Sequence, residues 1–221
     1  MKTKEIKLDG YTLPDNSICT MKNALDRSRH IKKEIGLTMC SSRDNVITLR
    51  GEHKGEENQV SINRRCNEGK GEEYIGYYHT HPEGTSKATS VDLRLCGTSK
   101  VLCVGGKTEK KWQGEPTNDS VGCYTWKDNV ISVQEGEKLF ADVHKGRQEP
   151  HNSEYKSHFD CLSTIGIYAD EQEILHERLK SIGFPSIRKL ATALKFQELN
   201  TAVDKEVDKY YNRTEIKLGE D

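Results

Sequence analysis

The sequence predicts an α/β fold of the α+β kind: a mixed β-sheet flanked by helices, followed by a helical C-terminal extension. Three observations carry this. An amphipathic helical stretch comes first, short β-rich runs follow, and one capped helical start lies between two of those runs. Near residue 145 the composition changes, and Lys145 to Ser153, with Gly146 and Pro150, reads as a linker. Helical periodicity then dominates to about residue 211. The predicted division is therefore a domain over 1–145 and a helical extension over 146–221.

In chain order, residues 17 to 33 read as a helix, with Ser17 a candidate cap and Ile18, Met21, Leu25 and Ile31 roughly on one face. Ile35–Cys40 and Val46–Leu49 read as two strands around the turn Ser41–Asn45. Residues 51 to 58 read as loop, with a short strand expected around Val60–Ile62. Tyr74 to His79 is an aromatic, β-rich strand. Thr89-Ser90-Val91-Asp92 has the spacing of a capping box, with Asp where Glu or Gln is usual, and a helix is expected to continue through Leu93 and Leu95. Val101 to Val104, bounded by Gly105 and Gly106, reads as a buried strand. Val121–Trp126 and Val130–Val133 read as a hairpin around Lys127–Asn129. Helices are expected near 154–180 and 186–210, broken at Gly183-Phe184-Pro185, and the last ten residues are expected to fray.

Composition excludes several function classes. The 34 Lys and Arg nearly cancel the 35 Asp and Glu, so no global field points to nucleic acid or an acidic membrane. Charged residues make up 31% of the chain, its mean hydropathy is -0.82, and no stretch approaches the ~18 apolar residues of a membrane helix. The N-terminus has positive charge without an apolar run behind it, so it does not read as a signal peptide. The seven cysteines are odd in number, none is spaced Cys-x-x-Cys, and several, such as Cys103, lie in apolar runs. They read as buried reduced thiols in a cytoplasmic setting.

The most informative stretch is His79 to Asp92. His79 and His81 are two apart at the end of a β-rich run, and Asp92 follows after ten residues. Residues i and i+2 of an extended segment face the same side, so both imidazoles can point at one ion. Pro82 is expected to turn the chain out of the strand. A carboxylate near a helix start is favoured in its charged form. Two imidazoles and a carboxylate are a three-ligand set for catalytic zinc that leaves the fourth position open.

The pattern His79-Thr80-His81-Pro82, six residues, Thr89, two residues, Asp92 resembles the motif of the JAMM (MPN+) zinc metalloprotease family. The resemblance covers about 14 residues closely and residues 17 to 145 loosely. It implies an MPN-like (cytidine-deaminase-like) sheet, one Zn²⁺ per chain on His79, His81 and Asp92, and a remote glutamate base. Glu34, before the glycine-containing run Ile35-Gly36-Leu37, is the residue that fits that base; it would take a proton from the attacking water and return it to the leaving amine. Its rivals are Glu52, Glu56 and Glu57, and its bland alternative is an exposed helix-end carboxylate after Lys32-Lys33. Thr89 stands where the family usually has Ser, whose hydroxyl helps stabilise the oxyanion; Thr keeps that donor and adds a methyl. Its competing role is a plain N-cap.

The resemblance implies hydrolysis of peptide or isopeptide bonds at the extended C-terminal tail of ubiquitin or a ubiquitin-like small modifier, docked as an added strand. The alternative is a non-catalytic MPN-type scaffold that binds partners. A metal-dependent phosphoesterase ranks lower, because such sites commonly hold two metals and no second His/Asp cluster is evident. His30, His53, His144, His151, His158 and His176 read as solvated. Tyr74, Tyr77 and Tyr78 read as core and cleft wall, and the charged run Lys107–Lys111 does not by itself bind nucleic acid. The C-terminal helices are candidates for partner docking or self-association.

Overall fold

The computed structural model describes residues 5–57, 59–110, 112–183 and 186–219. They form an α+β fold around a six-stranded mixed sheet, with a long helical region toward the C-terminus. The residues group into two compact units. One takes the described residues up to Lys87, Ser99–Thr125 and those from Arg213 on; the other takes Ala88–Thr98 and Trp126–Asn212.

In the first unit a short antiparallel pair, β1 (Ile6–Leu8) and β2 (Tyr11–Leu13), precedes helix α1 (Asp15–Ile31). The helix begins just after Pro14, whose carbonyl accepts the first helical N–H groups. Ser17, expected as the cap, lies inside the first turn and donates its hydroxyl to the Ile47 carbonyl at 3.0 Å. Met21, Ala24 and Leu25 form the buried face. Lys32, with φ 54°, ends the helix and turns the chain directly into the sheet.

The sheet order is β4 (Ile47–Lys54), β3 (Ile35–Ser41), β5 (Glu73–Thr85), β6 (Val101–Lys107), β7 (Asp119–Trp126), β8 (Tyr211–Leu218). β3 pairs antiparallel with β4 and β5, β5 pairs parallel with β6, and β6 pairs antiparallel with β7. Every residue of β3 is buried. Alternation gives it two working faces: Ile35, Leu37 and Met39 join Met21, Ala24 and Leu25 of α1 in the core, while Gly36, Thr38 and Cys40 face the other way. Tyr78 shares the α1 side, donating its hydroxyl to the Met21 carbonyl at 2.8 Å.

In the second unit Leu93, Trp126, Leu139, Phe159, Leu162, Ile165, Leu175, Leu199 and Val203 are buried. Its helices are α2 (Val133–His144), α3 (Lys156–Cys161), α4 (Ile167–Ser181) and α5 (Ile187–Tyr210), with a π-helical turn, Leu162–Gly166, joining α3 to α4. The C-terminal helices match the predicted spans closely. The break expected at Gly183-Phe184-Pro185 falls partly on residues outside those described.

Several expectations are corrected. No second hairpin strand follows β7. Ser132 and Glu135 make a reciprocal capping box, each side chain bonding the other's backbone N–H, and this starts α2 instead. Residues 60–62 form no strand; Val60 and Ile62 instead fill the space above Gly36, where an added Cβ would come within 2.0 Å of Ile62 Cδ1. The chain end does not fray over Tyr211–Leu218: this segment adds β8 to the sheet, and Ile216 and Leu218 enter the core of the first unit. His158 is 1% exposed rather than solvated, and its ring packs against Trp126 with centroids 5.0 Å apart.

The cysteines are the largest departure. Six form disulfides, Cys40–Cys66, Cys96–Cys161 and Cys103–Cys123, and exposed Cys19 remains free. Cys103 and Cys123 are directly opposed on β6 and β7, a proximity set by sheet register and invisible in linear spacing. The reduced-thiol reading, and the cytoplasmic placement that leaned on it, lose that support. Among the described residues no helix is long and apolar enough to cross a membrane.

Candidate functional site

The two histidines lie on β5, in the interior of the sheet. His79 faces Gly36 of β3 on one side and Val104 of β6 on the other, and it is 3% exposed. Beyond Thr80 the ladder with β6 lapses until Thr85 meets Lys107. His81 and Pro82 occupy this gap, which suits a residue with no N–H to donate. Pro82 therefore does not end the strand, as the sequence suggests, but sits in an irregularity within it. The guanidinium of Arg29, from α1, donates to the Pro82 carbonyl at 3.3 Å and to Asp119 at 2.7 Å. Gly84 keeps the space beside His81 open: a Cβ there would lie 2.9 Å from the His81 Cβ.

The imidazole nitrogens are arranged for chelation. His81 Nδ1 is 3.0 Å from the Thr85 carbonyl, which requires the proton on Nδ1 and makes Nε2 the acceptor nitrogen of the ring. His79 Nε2 and His81 Nε2 are 3.1 Å apart. Two nitrogens bound at ~2.0–2.1 Å to a tetrahedral ion stand about 3.3 Å apart, so little movement is needed to accept one. His79, His81 and Asp92 each offer a ligand atom within 4.8 Å of the others, and this group could hold a metal ion.

Asp92 is shaped by its own turn. Its Oδ2 accepts from the Thr89 N–H at 2.6 Å and the Thr89 hydroxyl at 3.0 Å, while the Asp92 N–H returns to Thr89 Oγ1 at 3.3 Å. The capping box forms, but the expected helix does not. Residues 90–97 run as successive turns with bonds such as Arg94 N–H to Val91 O and Thr98 N–H to Leu95 O. Gly97, with φ +75°, stops any continuation, and His158 and Trp126 close over it so tightly that a Cβ would lie 2.2 Å from His158 Cδ2. Two donors from Thr89, rather than a helix dipole, hold this carboxylate.

Glu34, 7% exposed, lies immediately before β3. Its backbone is fixed on both sides, donating to Glu56 O at 2.7 Å and accepting from Gly55 N at 2.8 Å. Gly36 pairs with His79, and Ile35 N–H donates to Thr80 Oγ1 at 2.9 Å. Glu34 thus precedes by two residues the Gly36 that pairs with His79. Its rivals point elsewhere: Glu52 pairs with Arg27, Glu56 pairs with Lys33, and Glu57 is exposed.

Other residues lie near the histidines or shape the strands that carry them. Tyr77 stands beside His79 with ring centroids 5.8 Å apart. The Cys40–Cys66 bridge fastens the stretch containing Val60, Ile62 and Asn63 over the face of β3 that bears Gly36, with the Thr38 hydroxyl donating to the Asn63 carbonyl. Arg29 has no motif of its own, because its role depends on a proline 53 positions away. No protein-family model matches this chain, and no curated protein matches it.

Proposed function

We propose that this chain is a zinc-dependent metallopeptidase of JAMM (MPN+) type, hydrolysing peptide or isopeptide bonds at the extended C-terminal tail of ubiquitin or a ubiquitin-like modifier. The observation that supports the reading is the group His79, His81 and Asp92, whose ligand atoms lie within 4.8 Å of one another, with buried Glu34 two residues before the Gly36 that pairs with His79. The donor set of two histidines and one carboxylate fits zinc, with His79, His81 and Asp92 as ligands. When bound, zinc would polarise the scissile carbonyl and acidify water.

The protein's own groups do the remaining work. Glu34 takes the proton of the attacking water and delivers it to the leaving amine. The Thr89 hydroxyl, now donating to Asp92, turns toward the developing oxyanion. The Thr85 carbonyl holds the His81 tautomer. β4 is the sheet edge on Glu34's side and offers backbone groups to an added strand. The three disulfides favour an oxidising compartment over the cytosol, so peptide tails met outside the cytosol belong among the substrates tested.

The test is incubation of zinc-loaded protein, without reductant, with isopeptide-linked and linear modifier fusions and extended peptides. Chelator-treated and Glu34→Gln samples serve as controls. Cleavage that both controls abolish supports the reading. Stoichiometric zinc with no Glu34-dependent cleavage favours an MPN-type scaffold instead.

A further inference from the structure

The second unit contains a buried polar chain beside the Asp92 turn. Ser90, fully buried, donates its hydroxyl to Gln172 Oε1, and Gln172 Nε2 donates to Asn200 Oδ1 at 2.6 Å. Gln172 lies on the buried face of α4 between Ala169 and Leu175, at a position where an apolar side chain would be ordinary. Its own exposure is 0%. A glutamine there is tolerable only because both ends of its amide are bonded.

We infer that Gln172 is a positioning residue for the Asp92 ligand, acting through Ser90; this rests on the metal reading above. Ser90 is part of the Thr89–Asp92 turn, and its carbonyl accepts the Leu93 N–H at 3.2 Å. The Thr89 bonds give that turn its shape, but being local they cannot fix where it sits. Three ties to the helices do so. Arg94 bonds both carboxylate oxygens of Glu173 at 2.9 and 3.0 Å, and Cys96 is bridged to Cys161. The Arg94–Glu173 pair is 37% and 44% exposed, so solvent weakens it, and the disulfide lies four residues beyond the ligand. The Ser90–Gln172 bond is dry and next to the turn, and it sets the carboxylate's place.

Zinc affinity, measured by competition with a chromophoric chelator on folded, oxidised protein, tests this. Gln172→Met keeps length and volume but breaks the chain; it should weaken zinc binding about tenfold or more, the usual scale for losing a residue that orients a ligand. Gln172→Glu keeps the acceptor for Ser90 but loses the donor to Asn200, and should retain more zinc affinity than Gln172→Met. Ser90→Ala should reproduce the loss, and the double variant should lose no more than either single one, since they share one interaction. Leu175→Ala, which opens the same buried face of α4, should lower Tm without changing zinc affinity. Wild-type affinity in both Gln172→Met and Ser90→Ala overturns the inference, as does an equal loss in Leu175→Ala. If Gln172→Met fails to fold, Ser90→Ala decides. A wild type that takes up no zinc overturns the metal reading itself, and this inference with it.

Discussion

Glu34 lies two residues before Gly36, which pairs with His79 across β3 and β5, and the Ile35 N–H between them donates to Thr80 Oγ1 at 2.9 Å. The base proposed above is thereby tied through backbone bonds to the strand that carries both histidines. Glu34→Gln keeps the shape and removes the proton acceptor. We expect unchanged zinc content and a fall in kcat of about 10²–10⁴-fold, the span of a positioned general base. Undiminished turnover by this variant would remove Glu34 from the mechanism.

Thr89 separates two functions of one hydroxyl. Thr89→Ser keeps the donor and should retain most activity. Thr89→Val loses it and should cost about 10²–10³-fold in kcat if the hydroxyl meets the oxyanion. Comparing kcat/KM of the two is the measurement; equal rates would leave Thr89 as a turn residue only.

Arg29 joins α1 to both Pro82 and Asp119. Replacing it by Met strands the Asp119 carboxylate, which is only 28% exposed, and frees the carbonyl that follows His81. Loss of charged hydrogen bonds predicts a decrease in unfolding free energy of about 1.5–3 kcal/mol. Urea denaturation of Arg29→Met checks this, and an unaltered midpoint would contradict it.

His158 and Glu72 both contribute to the acid limb of stability. Burial pushes the His158 pKa below its ordinary 6.5. As pH falls through 6.5 the unfolded chain takes a proton that the folded chain refuses, so stability declines from there down to the folded pKa. The Arg50 guanidinium, bonded to both oxygens of Glu72, holds that carboxyl below its ordinary 4.5. Its contribution is full above 4.5 and is lost as pH falls through the lowered value. Midpoints recorded from pH 8 to 3 should show both declines, and His158→Leu should flatten only the upper one. A variant that keeps the upper decline would show that another group causes it.

The disulfides span 26, 65 and 20 residues, and closing loops of that size stabilises by about 3–4 kcal/mol each in the chain-entropy account. Alkylation of denatured, unreduced protein should label Cys19 alone, whereas prior reduction should expose all seven cysteines and lower Tm sharply. Intact mass reads the number of labels. Seven labels without reductant would contradict the bridges.

Legibility in the sequence followed interaction range. β3, the first half of β4, β6 and the C-terminal helices could be read because apolar periodicity is local to each segment, whereas residues 51–54, read as loop for their polar composition, continue β4. The α2 start could also have been read, since Ser132-Val133-Gln134-Glu135 is a capping box in plain sequence, but the apolar run Val130–Val133 suggested a strand. At Thr89–Asp92 the same signal produced the cap and no helix, because the Cys96–Cys161 tether and the packing of His158 over Gly97 overrode local propensity.

By itself, the sequence determined the donor set. Spacing of two along an extended segment puts His79 and His81 on one side whatever surrounds them, and Thr89 with Asp92 forms its turn from neighbouring atoms alone. Only the tertiary structure decided the rest: that the start of β3 meets His79, that Arg29 grips Pro82, that six cysteines meet in pairs, and that Gln172 bonds Ser90 of the Asp92 turn. Each of these joins residues far apart in the chain, and the distance between them is set by strand register and helix packing, which no linear pattern encodes.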